Sequence, residues 1–188
     1  MELKTVFFEQ PGKDNTEAVF KLVQQRINEL GIKTVVVAST GGDNAVKAVN
    51  ALKGVKVVAV AHSDGFRTPN ANEFTAENRK IVESKGGVVF VGTHLFTGLS
   101  QAMRKKFNTI IIGDIIANTL RVFGQGMKVV CEVSTMAADA GLVRTDEDVI
   151  VIAGTGRGAD TAVVIRPVNS QDFFDMKVKE ILCKPSLQ

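Results

Sequence analysis

The amino-acid sequence predicts a single α/β domain of three layers, in which helices cover both faces of a mostly parallel sheet with one antiparallel edge strand. Two observations lead to this fold class. Short β-branched runs alternate along the chain with amphipathic helical patterns, as in proteins built from β-α-β units. Several runs, such as TVVVA at residues 34–38, are hydrophobic without alternation, which is typical of strands buried on both faces. A chain of 188 residues can bury one substantial core, and no linker or repeat divides it, so residues 1–188 are predicted to form one domain.

Residues 1–61 are predicted to contain two helices and three strands. The helix at 16–30 carries an apolar stripe, can be capped by Asn15 or Thr16, and ends at Gly31. The second helix covers 43–54 and also ends at a glycine. The strands are predicted at residues 5–8, 34–38 and 55–61.

The rest of the chain continues the alternation and closes with two strands. Asp114 is predicted as the N-cap of a helix, and the amphipathic segment 170–185 is expected to pack on the outside of the domain. Helices are predicted at 75–86, within 93–108, at 114–126 and at 127–141, and strands at 87–92, 148–154 and 161–168.

The last two of these strands are predicted to run antiparallel. Only a short glycine-rich connection, residues 154–160, separates them, and this is too short for a crossover helix. The strand near residues 161–167 is therefore expected to be an antiparallel strand at the edge of the sheet.

Composition and charge disfavour several classes of function. The net charge is only +3, and the densest basic cluster, residues 104–106, is typical of a solvated helix face, so nucleic acid is not expected as a partner. The two cysteines lack metal-ligand spacing, which disfavours a zinc site or a disulfide framework. No apolar run is long enough to span a membrane, and the N-terminus has no signal-like apolar core. We therefore expect a cytoplasmic protein.

Polar loops follow four of the predicted strands. Ligands of open parallel sheets bind beyond the carboxyl ends of the strands, so these loops are expected to form one binding site. The loops are residues 39–44, 62–66, 92–97 and 154–160.

The first loop has two interpretations. A strand that ends in Ser39, Thr40, Gly41 and Gly42 and leads into a helix can hold a phosphate, because backbone N–H groups, hydroxyls and the positive helix end point to one place. The alternative is a tight strand-to-helix turn capped by Asp43 or Asn44, which needs no ligand. The loop matches neither the Walker motif nor the GxGxxG fingerprint.

The other loops supply further candidates. Arg157 in the last loop can grip a phosphate, or it can simply be exposed. His62 and His94 each follow a strand directly. We predict that His62 lines the pocket and is not a metal ligand, because no carboxylate or thiolate lies near it at ligand spacing. Glu132 and Asp139 can face a pocket, but a solvated helix side is favoured. The remaining candidate binding residues are Asn44, Ser63, Gly65, Phe66, Thr93, Gly154, Thr155, Gly156 and Asp160.

Two of these loops carry a family resemblance. ASTGGDNA resembles the Ser-Thr-Ser-Gly-x-Ser-Ala phosphate loop of the pyruvate kinase C-terminal domain, with Gly41 and Asn44 in place of hydroxyl residues and an added acid at Asp43. DVIVIAGTGRGADTAVVI is similar to the last two strands of that domain, although Asp160 and Thr161 depart from its usual sequence.

The chain as a whole resembles a small, mostly prokaryotic, stand-alone family with a fold like that of the pyruvate kinase C-terminal domain. That family has no established activity and is associated with flavin mononucleotide (FMN). The resemblance implies FMN as a cofactor, with its phosphate in the loop at 39–44, and it does not imply kinase activity, because the catalytic barrel is absent.

Three functions therefore remain open. The first is binding of a phosphate-bearing small molecule, with FMN as the favoured ligand. The second is an enzyme, either a flavin-dependent oxidoreductase or one that uses His62 or His94 as a general acid or base on a phosphorylated metabolite. The third is a regulatory module without catalysis, which would suit a homo-oligomer.

Overall fold

The computed structural model describes residues 2–186, and within them a seven-stranded sheet is flanked by six α-helices. Two short 3₁₀ turns, Lys13–Asn15 and Ser170–Asp175, complete the regular structure. The strands are β1 (Val6–Phe8), β2 (Thr34–Ala38), β3 (Lys56–Ala61), β4 (Val88–Val91), β5 (Val149–Ala153), β6 (Thr161–Arg166) and β7 (Lys177–Pro185). The helices are α1 (Thr16–Leu30), α2 (Asp43–Ala51), α3 (Ala76–Ser84), α4 (Gly98–Phe107), α5 (Ile112–Arg121) and α6 (Gln125–Asp139).

The sheet has the order β1-β7-β6-β5-β2-β3-β4 and is mostly parallel. Four of its neighbouring pairs are parallel, and β6 runs antiparallel to both β5 and β7. The predicted α/β class, the mostly parallel sheet and the antiparallel direction of β6 are therefore confirmed. Its predicted position at the edge is wrong, because β7 and β1 extend the sheet beyond it.

The C-terminal segment explains this difference. Residues 170–185 were expected to pack outside the domain, but their second part forms β7, which lies between β1 and β6. The amphipathic pattern divides along the strand. Lys177 to Lys179 are exposed, whereas Leu182 and Cys183 are buried in the core. The strand pairs with β6 from Lys177 onward, but the side chains of its charged start face water while those of its apolar end lie in the core.

Helices cover both faces of the sheet, as the three-layer prediction requires. Val35 and Val37 of β2 pack with Val19 and Val23 of α1 in one core cluster. Val36, between them, packs on the opposite face against α6, in the cluster that contains Val130. This alternation puts adjacent residues of one strand into two cores, which is why the strand is hydrophobic throughout.

The helix ends follow the predicted glycines only in part. Gly31 ends α1 in the left-handed conformation, and its N–H donates to Ile27 at 2.8 Å. The second helix ends at Ala51, before the predicted glycine at Gly54. Asp114 is not the N-cap of α5 but its third residue, from which its carboxylate accepts the N–H of Ile111 at 3.2 Å.

The outward face of α5 is apolar. Ile112 and Ile115 are more than half exposed there, as is Val122 directly after the helix. Homo-oligomerisation stays a prediction, since nothing in the described chain shows what covers this face. No helix among residues 2–186 combines the length and the apolar character that a membrane crossing requires.

Both cysteines are expected to be unreactive in the folded protein. Cys131 and Cys183 are buried, and burial raises the pKa of Cys131 to about 11 and that of Cys183 to about 12, so neither forms the reactive thiolate near pH 8. A colorimetric thiol reagent should label no cysteine in the native protein and two in denaturant. Rapid native labelling would contradict the packing around α6 or β7.

Candidate functional site

A pocket of about 520 Å³ lies at the carboxyl ends of β2, β3, β4 and β5. These four strands are mutually parallel, so the loops that follow them meet at one edge of the sheet. Each of the four predicted loops contributes residues to the pocket wall. Its volume falls in the range of small-molecule sites.

The pocket brings together ten of the sixteen predicted binding residues. These are Ser39, Thr40, Gly41, Asn44, His62, Phe66, His94, Gly154, Gly156 and Arg157. The other six do not line it: Gly42, Ser63, Gly65, Thr93, Thr155 and Asp160. The wall also contains charged residues that sequence reasoning did not select as ligands, namely Arg67, Glu73, Arg121, Lys128 and Glu132.

The loop at 39–44 presents unpaired backbone donors. Ala45 donates its N–H to the Ser39 hydroxyl at 3.2 Å, so Ser39 serves the start of α2 rather than Asp43 or Asn44. Within residues 2–186, the backbone N–H groups of residues 40–44 have no acceptor. These donors surround the positive end of α2, which is the arrangement that binds anions.

Asp43, the acid that a phosphate would disfavour, is engaged by a neighbouring helix. Its Oδ1 accepts a hydrogen bond from Nδ2 of Asn78 at 3.2 Å, and the same amide donates to the carbonyl of Gly41 at 2.9 Å. Asn78 therefore ties the loop to α3 and satisfies one oxygen of the Asp43 carboxylate.

The two glycines of the loop have different roles. Gly42 adopts φ 101°, and a Cβ there would lie 2.5 Å from Cβ of Asn78. A Cβ on Gly41 would meet only the carbonyl of Glu73, at 3.8 Å, which is ordinary contact. Gly42 is therefore required by the backbone, whereas Gly41 borders the pocket.

We expect Gly42→Ala to destabilise the protein and Gly41→Ala to leave its stability nearly unchanged. The first change introduces backbone strain and a clash with Asn78, which together should cost more than about 1 kcal/mol. Urea unfolding of both variants measures the difference. Equal stability of the two would contradict the assigned backbone roles.

The loop at 154–160 is held by a buried carboxylate. Asp160 is fully buried, and it accepts hydrogen bonds from the N–H groups of Gly12 and Thr155 at 2.9 Å and from the Thr161 hydroxyl at 2.7 Å. Asp160 and Thr155 thus shape the loop, while the exposed Arg157 borders the pocket.

His62 does have a carboxylate partner, contrary to the sequence-based expectation. Its Nδ1 lies 2.6 Å from Oε2 of Glu73, whose Oε1 is 3.0 Å from Nε of Arg67. Glu73 is eleven residues away in a long loop, and only the folding of that loop over the strand end brings it close. Burial lowers the pKa of His62, although Glu73 opposes that shift.

Glu132 is the second difference from the sequence-based expectation. It lies fully buried instead of on a solvated helix side. It forms an ion pair with Lys128, accepts the N–H of Phe96 at 3.0 Å, and lies 3.4 Å from Nδ1 of His94. Asp139, by contrast, stays near the surface and binds Asn169.

The pattern of apolar and charged residues along α6 does not indicate that Glu132 is buried. Helix α6 lies between the sheet and α5, so its charged residues are enclosed by neighbouring elements as well as by its own apolar face. Burial raises the pKa of Glu132, but His94 and Lys128 outweigh it and hold this pKa at about 2.

Glu132 should make folding stability depend on acid pH. Because its folded pKa lies below the usual 4.5, its contribution is full above about pH 4.5 and is lost as the pH falls toward 2. The difference in unfolding free energy between the wild type and Glu132→Gln should shrink over this window. Urea unfolding of both proteins at several pH values from about 5 to about 2 measures this difference. A difference that stays constant over the range would contradict the ionised pair.

Within residues 2–186, no group of three or more histidine, cysteine, aspartate or glutamate residues has the arrangement of a metal site. His62 and His94 are nevertheless neighbours, with ring centroids 4.9 Å apart. Each has a glutamate beside its Nδ1.

The chain is structurally similar to parts of solved pyruvate kinases. A Cryptosporidium parvum pyruvate kinase matches with 13% identity and a TM-score of 0.45 over 81% of this chain and 23% of the other. The C. parvum enzyme in complex with ADP gives the same identity and TM-score over 24% of its length. An O-ureido-L-serine synthase matches with 17% identity and a TM-score of 0.31, covering 69% of this chain and 48% of the other. The chain thus spans about a quarter of the length of these pyruvate kinases.

The sequence itself matches a family over most of its length. The model of the family described as "Pyruvate kinase, alpha/beta domain" aligns with residues 17–165, from α1 to the end of β6. The chain therefore belongs to the pyruvate kinase alpha/beta domain family.

Proposed function

We propose that the pocket binds a phosphate-bearing small molecule and that this ligand is FMN. Membership of the pyruvate kinase alpha/beta domain family supports a ligand-binding or regulatory module. The observation that carries the proposal is the set of backbone N–H groups at residues 40–44, which have no acceptor among residues 2–186. They lie at the N-terminal end of α2, beside the pocket. A phosphate would satisfy several of these donors at once.

The charges around the pocket support an anionic ligand. Two of the three carboxylates in the pocket wall are paired with cations, Glu73 with Arg67 and Glu132 with Lys128. The third, Asp43, accepts a hydrogen bond from the neutral amide of Asn78.

Within the described part of the chain, two cations of the wall have no ion-pair partner. Arg121 bonds only neutral side chains, those of Gln125 and Asn118, and Arg157 has no ion-pair partner among residues 2–186. Their positive charge favours a phosphate, which arginine binds well.

The aromatic rings of the pocket wall support a ligand with a planar ring. Phe66 packs on His62 with ring centroids 4.0 Å apart, and His94 lies 5.8 Å from Phe66. A flavin offers both features, a phosphate and a flat ring with a polar edge. Whether such a protein is a binder, a flavin-dependent oxidoreductase or a regulatory module stays open, and cytoplasmic localisation stays a prediction.

The proposal is tested by the visible absorption spectrum of freshly purified protein. We expect a flavin spectrum, or its appearance when FMN is added and the excess is removed by gel filtration. Mass spectrometry of the released chromophore should identify FMN. Colourless protein that also fails to retain added FMN would refute the FMN assignment.

A further inference from the structure

His62 is oriented as a base toward the pocket. The Glu73 carboxylate, 2.6 Å from Nδ1, fixes the ring proton on that nitrogen, which leaves the lone pair on Nε2. Within the described residues, Nε2 of His62 has no hydrogen-bond partner, and His62 lines the pocket. Because burial lowers its pKa, the imidazole is neutral and can accept a proton at pH 7.

The surroundings of His62 restrict its motion and extend the polar site. Phe66 covers the ring at 4.0 Å, and the ring of His94 meets it edge-on at 4.9 Å. Nε2 of His94 is buried without a partner among residues 2–186. An unsatisfied buried nitrogen is uncommon in proteins, and a bound ligand would satisfy it.

A buried cation belongs to the same cluster. Lys128 lines the pocket although only 3% of its surface is exposed, and it is ion-paired with Glu132. Glu132 in turn lies beside His94, the neighbour of His62. A fixed ammonium in a water-poor site can stabilise negative charge that develops on a substrate.

Together these groups resemble the parts of a proton-transfer site. We propose that Nε2 of His62 removes a proton from the carbon next to the carbonyl of a phosphorylated small molecule. The proposal rests on the phosphate site at residues 40–44 but not on FMN, which would compete for the same cradle.

The step needs no oxidant or reductant. The C–H bond breaks, its proton goes to Nε2 of His62, and the electron pair moves to the carbonyl oxygen to form an enolate. Lys128 stabilises the negative charge of that enolate. Return of a solvent-derived proton to the carbon restores the compound, so the carbon-bound hydrogen exchanges with solvent.

The test is hydrogen exchange in D₂O, followed by proton NMR, with dihydroxyacetone phosphate and glyceraldehyde 3-phosphate as probes. We expect the wild type to exchange the carbon-bound hydrogen of at least one probe, and to act more slowly on unphosphorylated dihydroxyacetone. His62→Gln should lower the rate by about a hundredfold or more.

Glu73 is a positioning residue, and its variants provide the second arm. Glu73→Gln should slow exchange and alter its pH profile, because the amide no longer fixes the ring proton on Nδ1, and Glu73→Asp should restore part of the rate. Glu77→Gln makes the same chemical change at an exposed position of α3 and should leave the rate unchanged.

The outcomes separate this proposal from the proposed function. The proton-transfer proposal is overturned if the wild type exchanges neither phosphorylated probe faster than the His62→Gln variant does, even when the wild type binds FMN. Exchange that depends on His62, in protein that does not bind FMN, would support it and refute only the FMN assignment.

Discussion

Glu132→Ala is expected to destabilise the protein by about 3–5 kcal/mol, as for other buried ion pairs that lose one partner. Lys128 would keep its charge at a site that is only 3% exposed, and the N–H of Phe96 would lose its acceptor. Urea unfolding followed by circular dichroism measures the effect.

The matched control removes both charges. In the double variant Lys128→Met with Glu132→Gln, no unpaired ammonium remains and the amide can still accept the Phe96 N–H. This variant should be more stable than Glu132→Ala. A single-variant cost below about 1 kcal/mol would show that water reaches Lys128, and the buried pair would then be wrong.

Gly41→Val is expected to weaken FMN binding by about ten- to a thousandfold. The branched side chain would enter the cradle and displace the phosphate from one or two N–H groups, each worth about 1.5–3 kcal/mol. Isothermal titration calorimetry gives the dissociation constant. The fold should tolerate the change, because Gly41 lacks a positive φ and the nearest atom to its Cβ is 3.8 Å away.

Gly41→Ala serves as the graded control. Its single methyl group fits at ordinary contact distance, so it should reduce affinity less than valine does. If valine leaves FMN affinity unchanged while the protein stays folded, the glycines serve only the turn. The interpretation of residues 39–44 as a tight strand-to-helix turn that needs no ligand would then be correct.

Much of the fold could be predicted because its signals are local. Continuous apolar runs such as residues 34–38 mark strands buried on both faces, and Gly31 marks the end of α1. The carboxyl-end loops then converge by the geometry of parallel strands alone. The strand order was not predictable in this way, because whether β7 pairs with β6 depends on contacts between segments far apart in the chain.

The same distinction applies to the site. Glycines and hydroxyls at a strand end are visible in the sequence, so the position of the loop at residues 39–44 in the pocket wall could be predicted. The partners of the histidines could not. Glu73 reaches His62 through a long loop, and Glu132 reaches His94 across 38 residues that include two helices.

The central claim, that residues 40–44 hold the phosphate of the ligand, is tested most directly by titrating wild-type protein with FMN and with riboflavin. The two compounds differ only in the phosphate group, so the ratio of their dissociation constants isolates its contribution. The account predicts that riboflavin binds at least about tenfold more weakly, in line with the loss of one charge-assisted hydrogen bond or more. Equal affinity for the two would contradict it.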